Sequence, residues 1–223
     1  AGAKIILNGR NPEKLAEATD RLSLQDVSAQ TLCFDVRDQP AVQKAINNYE
    51  SADGPIDILI NNAGIQHRQS LEDFASDKFQ DVMNTNATAL FYLGQAVTRH
   101  MKQRGQGKII NIASIMTKMA RHHVGAYVTA KAAVGGLTRA MTAEWAAYGI
   151  NCNAIGPGYI STELTQPLFE DKAFSEWLIA QTPAGRWGQV DDLVGAAIFL
   201  SSPASDFMHG QVLYVDGGMT VTV

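Results

Sequence analysis

Tyr127 and Lys131 stand four positions apart in "YVTAK", inside a stretch of helical composition. That spacing is close to one helical turn, so both side chains project from the same face. A free phenol titrates near 10 and is a poor acid or base at neutral pH. A neighbouring ammonium favours phenolate and draws that pKa down toward general acid–base work. Such pairs are common on helices, where they ordinarily do nothing more than pack or meet solvent, so the pair needs context. Ser114 supplies it. It closes the apolar run "IINIAS", within reach of Tyr127 if the loop "IMTKMARHH" folds back. A hydroxyl there would hydrogen-bond a carbonyl while the tyrosine protonates it.

Positioning these groups requires a scaffold. Short β-like runs fall near 4–8, 30–35, 56–61, 107–113, 150–155 and 211–215. Helical patterns lie between them, near 12–23, 39–50, 76–103, 124–148, 168–181 and 191–201. Length, β-branching and periodicity separate the two kinds. In the first helix Asn11 reads as the N-cap and Pro12 as the first turn. Strict alternation with continuous apolar strands predicts an α/β fold: a Rossmann-like, doubly wound parallel sheet with helices on both faces, residues 1–223 forming one domain. Ligands in such folds bind beyond the carboxyl ends of the strands. Those ends read "NGR" (8–10), "DVRD" (35–38), "NNAG" (61–64), "NIAS" (111–114), "AIGPGYIST" (154–162) and "VDGG" (215–218). Taken singly, each is also an ordinary strand-to-helix turn.

Together, in this order, the NNAG turn (Asn61 to Gly64), "NTNATALF" with Asn86, then Ser114, the Tyr127–Lys131 pair and "GPGYIST" resemble the short-chain dehydrogenase/reductase family along the whole chain. The resemblance implies that Tyr127 exchanges the proton at the reacting oxygen and that Ser114 orients substrate. Lys131 would hold the nicotinamide ribose and depress the tyrosine's pKa, and Asn86 would support a water relay to Lys131. Asp35 and Val36 would lie at the adenine, with Asn62, Ala63 and Gly64 along the cofactor. Pro157, Gly158, Ile160 and Thr162 would border its nicotinamide end, Ile160 contacting the carboxamide through its backbone.

Which nicotinamide cofactor is expected turns on the strand at 4–8. An acid following it would favour NAD, whereas an arginine accommodates the 2′-phosphate of NADP. Here Asn8-Gly9-Arg10 contains no acid, and Arg10 offers a planar donor fork suited to phosphate. NADP(H) is therefore the expected cofactor. The "TPAGRWGQVDD" tail and "NNAGIQHRQS" resemble the branch of the family that interconverts D-gluconate and 5-dehydro-D-gluconate. Arg68, just past the NNAG turn, is a candidate substrate-carboxylate clamp or else a solvated loop residue. A 3-oxoacyl-thioester reductase or another sugar or carbonyl reductase is the alternative within the family. A catalytically silent dinucleotide-binding scaffold is the alternative outside it.

The net charge of −4 offers no electrostatic footprint for nucleic acid, and no run is apolar enough to span a membrane. A cytoplasmic protein is expected. Cys33 and Cys152, both in apolar strand-like stretches, read as buried free thiols. His122 and His123 are adjacent and no donors stand at metal-ligand spacing, so no metal is expected. Trp145, Trp177 and Trp187 read as packing residues, with Trp187 also able to border the pocket. The long helices and the apolar "MTVTV" end suggest subunit contacts and, by resemblance, a homotetramer.

The opening "AGAKIIL" resembles the family's second strand and the helix exit before it, Gly2 standing as a helix C-cap. A strand, a glycine-rich TGxxxGxG turn and a helix, about 30 residues in such units, would precede it. The expectation is thus a fragment of a longer chain that by itself holds pyrophosphate poorly and leaves its sheet open.

Overall fold

A computed structural model describes residues 2–222. The strands are β1 (Ile5–Gly9), β2 (Ala29–Cys33), β3 (Ile58–Asn61), β4 (Gly107–Ile112), β5 (Ile150–Pro157) and β6 (Val212–Val215). The helices are α1 (Pro12–Ser23), α2 (Gln39–Ala52), α3 (Ser76–Met83), α4 (Ala89–Arg104), α5 (Gly125–Trp145), α6 (Gln166–Phe169), α7 (Lys172–Gln181) and α8 (Val194–Ser201). Every strand pairing is parallel, as the alternation predicts: β1 with β2, and β3-β4-β5-β6 in that order.

The helices cover both faces because strand side chains alternate. On one face Ile109 and Cys152 pack with Val42 and Ile46 of α2, Val97 and Met101 of α4, and Met141 of α5. On the other, Ile110 and Ile155 pack against Leu200 of α8. Each such fully buried aliphatic side chain contributes about 1.5–3 kcal/mol. A buried polar chain crosses the first face. Asn61 Nδ2 donates to Asn111 Oδ1 at 2.8 Å, and Asn111 Nδ2 donates to Thr138 Oγ1 at 3.0 Å. It locks the ends of β3 and β4 to α5, the helix that carries Tyr127 and Lys131.

Local chemistry sets the helix starts. Asn11 accepts from the Lys14 N–H, Asp38 from that of Ala41, and Asp171 from that of Phe174. The expected helix over 76–103 is interrupted: Asn84–Thr88 forms a π turn between α3 and α4. The expected 168–181 helix is likewise divided, because Asp171 caps a fresh start. One burial expectation fails: Cys33 is exposed although Cys152 is buried, and β1 beside it is only half-buried. β1 and β2 pair only with each other, so helices shield less of them than of β4 and β5.

Candidate active site

The strand ends and the loops after them enclose a cleft of about 720 Å³. Ser114, Tyr127 and Lys131 lie on its floor, Asn62 and Gly64 on one side, and Pro157, Gly158, Ile160 and Thr162 on the other. Arg68 lines it as well, although the residue as a whole is exposed. Asn8, Arg10, Asp35, Val36, Ala63 and Asn86 are not among its lining residues. The first four gather instead at the carboxyl ends of β1 and β2.

Ser114 follows β4 in extended conformation, and its Oγ accepts the Met116 N–H at 3.1 Å. The turn that follows lets Ser114 line the same cleft as Tyr127. Burial pushes the Tyr127 pKa up; the Ser114 hydroxyl opposes this, and nearby Tyr159 adds to the rise. The expected lowering by Lys131 is absent. The ammonium lies 5.6 Å from the Tyr127 ring centroid and donates instead to the Ile112 carbonyl at 2.5 Å. Burial draws the Lys131 pKa down to about 8. Desolvation thus dominates both groups in the protein alone.

Asn86 sits in the π turn, fully buried. Its Oδ1 accepts the Ile65 N–H and its Nδ2 donates to the Ile65 carbonyl, both at 2.8 Å. The side chain therefore holds the loop after NNAG in place. π turns inserted in α-helices are frequent at functional sites. On the opposite wall, a Cβ at Gly158 would strike the buried Ile115 side chain, so glycine allows this close approach. Ile160 pairs with Gly188 in an isolated bridge, and its carbonyl accepts the Thr165 hydroxyl at 2.6 Å. Thr165 Oγ1 also accepts the Thr162 N–H, fixing the turn.

At the ends of β1 and β2, the Asn8 amide donates to the Leu32 and Phe34 carbonyls and so ties the two strands together. Val36 is buried in the core. Asp35 is gripped by Arg37, whose Nε and Nη2 reach its carboxylate at 2.7–3.1 Å. That guanidinium holds the Asp35 carboxyl below its ordinary range. Arg10 stands 3.9 Å from the same carboxylate with its side chain 67% exposed, leaving its donor fork open.

Sequence reasoning missed four residues here. Arg37 was visible only as part of "DVRD", and nothing local marked it as a partner of Asp35. Gln66, Arg121 and Tyr159 line the cleft too; Gln66 and Tyr159 stand inside quoted motifs, but nothing in the sequence singled out any of the three. Trp187 is buried against Tyr159, Phe169 and Phe174 behind the cleft wall, a packing residue as expected.

A doubly wound sheet with its chemistry gathered beyond the strands' carboxyl ends is the architecture of dinucleotide-dependent enzymes. Within that class the chain belongs to the short-chain dehydrogenase/reductase family: residues 1–220 match the family described as Enoyl-(Acyl carrier protein) reductase. It is 50% identical over 222 residues to the gluconate 5-dehydrogenase of Gluconobacter oxydans (strain 621H), covering all of this chain and 87% of that protein. It is 45% identical to the 5-keto-D-gluconate 5-reductase of Escherichia coli (strain K12), again covering all of this chain and 87% of the relative. The structure superposes with a TM-score of 0.96 on a gluconate 5-dehydrogenase from Burkholderia cenocepacia J2315 in complex with NADP and tartrate. That protein is 50% identical, and the match covers 100% of this chain and 87% of that one.

Proposed function

We propose that this protein is an NADP(H)-dependent oxidoreductase that interconverts D-gluconate and 5-dehydro-D-gluconate, with residues 1–223 forming one dinucleotide-binding domain. The observation that carries the reading is a tyrosine–serine–lysine set, its serine and lysine buried, sharing one cleft with Arg68, in a chain half-identical to a gluconate 5-dehydrogenase.

The residues present suit the cofactor. Arg10 presents an open guanidinium at the end of β1 beside the Arg37–Asp35 pair, a cationic edge matched to a 2′-phosphate. Asp35 and Val36 would hold its adenine end, and Asn8 and Arg10 the phosphate-bearing ribose. Asn62, Ala63 and Gly64 would line its middle, and Pro157, Gly158, Ile160 and Thr162 would hold its nicotinamide end. NADP(H), when bound, supplies or accepts the hydride.

The chain's own residues handle the proton and the geometry. Burial keeps Tyr127 neutral at rest, so its Oη can give a proton to the carbonyl oxygen in reduction and take it from the alcohol in oxidation. Ser114 Oγ donates to that same oxygen and holds it at the phenol. Lys131, anchored on the Ile112 carbonyl, would hold the nicotinamide ribose. Asn86 keeps the 62–65 loop in register and supports the proton's path to Lys131. Arg68 faces the substrate carboxylate.

The working assembly is a cytoplasmic homotetramer. Exposed Phe91 on α4, Val194, Ile198 and Phe199 on α8, and Val221 support that reading as apolar surface for subunit contact. No helix among the described residues is long and apolar enough to cross a membrane. A stable monomer in light scattering at micromolar concentration would exclude the tetramer.

The deciding experiment follows NADPH oxidation with 5-dehydro-D-gluconate in the wild type and in Tyr127→Phe. Turnover in the former and a loss of at least about 100-fold in the latter are expected. No turnover across a panel of ketones would defeat the enzyme reading. Retained turnover in the variant would defeat the role given to Tyr127.

A further inference from the structure

Arg68 does not face the cleft alone. An isolated bridge joins Gln69 to Val124, and the Gln69 N–H donates to the His123 carbonyl at 3.0 Å. This stitches the loop after β3 to the segment leading into α5. His123 takes a left-handed backbone, φ 63°, to make that turn, and Gly125 leaves no Cβ to strike Leu71 Cγ at 2.9 Å. The stitch brings Arg121 to the same cleft wall as Arg68 and Gln66.

Three features mark Arg121 as prepared for an anion. Its guanidinium carbon lies 4.7 Å over the Phe174 ring, which fixes the plane of the fork. Its Nη1 is buried and has no hydrogen-bond partner, and neither has the buried Oε1 of Gln66, which lines the same cleft. A buried donor and acceptor left unpaired are costly unless a ligand satisfies them. Arg68 lines the same cleft, and its pKa is lowered by burial first and then by the charge of Arg121, with Tyr159 opposing. The one carboxylate lining the cleft, Glu163, is exposed and forms no ion pair with either arginine among the described residues.

We propose that Arg121 is a specificity-determining residue: with Arg68 it forms a two-pronged receptor for the carboxylate of a sugar acid, while Gln66 accepts a hydroxyl of the same chain. The inference rests on the function proposed above and assigns its preference for acids over neutral sugars to a residue outside the proton-transfer set. The receptor is bidentate by construction, because one fork is held flat on an aromatic ring and the other approaches from the neighbouring loop.

The test compares NADPH-dependent reduction of 5-dehydro-D-gluconate with that of L-sorbose, which has the same carbon chain with hydroxymethyl in place of carboxylate. In Arg121→Gln, KM for the keto acid should rise roughly 10- to 100-fold, the loss of a charge-assisted contact. Its kcat/KM for L-sorbose should stay unchanged. Calorimetric titration with D-gluconate should show the same weakening without turnover. Arg121→Lys, which keeps charge but not the fork, should recover part of the loss; it also decides the matter if the glutamine variant does not fold. An unchanged KM for the keto acid, or an equal loss on both substrates, overturns the proposal. A wild type that reduces L-sorbose but not the keto acid overturns the function reading itself, and does so before any substitution is made.

Discussion

Replacing Lys131 with methionine should abolish activity while making the protein more stable at neutral pH. Burial lowers the Lys131 pKa from 10.5 to about 8. At roughly 1.36 kcal/mol per unit, holding the charged form in place costs about 3 kcal/mol of stability below pH 8. Methionine removes that cost and fills a similar volume. It also deprives the Ile112 carbonyl of its donor, an offset of about 1 kcal/mol. The net expectation is a gain of about 2 kcal/mol at pH 7 in the protein without nucleotide. The pH dependence follows the same linkage. Between about 8 and 10.5 the unfolded lysine still binds a proton that the folded one has released. Wild-type stability therefore rises with pH across that window, and its deficit relative to the variant closes. Urea denaturation at pH 7 and pH 9.5, paired with an activity assay, measures both effects. A Lys131→Met protein less stable than wild type at pH 7, with no difference in pH slope, would refute the dominance of desolvation at this site.

Asn86→Ala should strip the Ile65 backbone of both its partners in a buried setting, lowering stability by about 2 kcal/mol or more in denaturant titration. NADPH binding should weaken as the 62–65 loop loosens. Arg10→Ala should weaken NADPH roughly 10-fold, as loss of a charged contact would, with NADH little affected. Fluorescence titration of the two nucleotides distinguishes this from a general defect, since equal loss of both would remove Arg10 from phosphate recognition.

Much of this protein is legible without coordinates, because much of its chemistry is local. Short continuous apolar runs alternating with helical segments specify a parallel sheet, and Asn11 and Asp38 announce helix starts by offering oxygens to N–H groups three residues on. The Tyr127–Lys131 pair is visible for the same reason, since helical spacing alone places both on one face. What stayed hidden depends on residues distant in the chain. The continuous helix expected across 76–103 ignored Asn86, whose side chain is committed to Ile65 from within a π turn. The sign of the Tyr127 shift was misjudged because spacing to a cation can be read from sequence and burial cannot. Cys33 resembled Cys152 until the pairing of β1 with β2 alone set its exposure. Arg68 and Arg121 lie on separate loops, and only the bridge between Gln69 and Val124 makes neighbours of them. The reactive groups are thus written in the sequence, whereas the electrostatics around them, which depend on what is buried against what, belong to the tertiary structure alone.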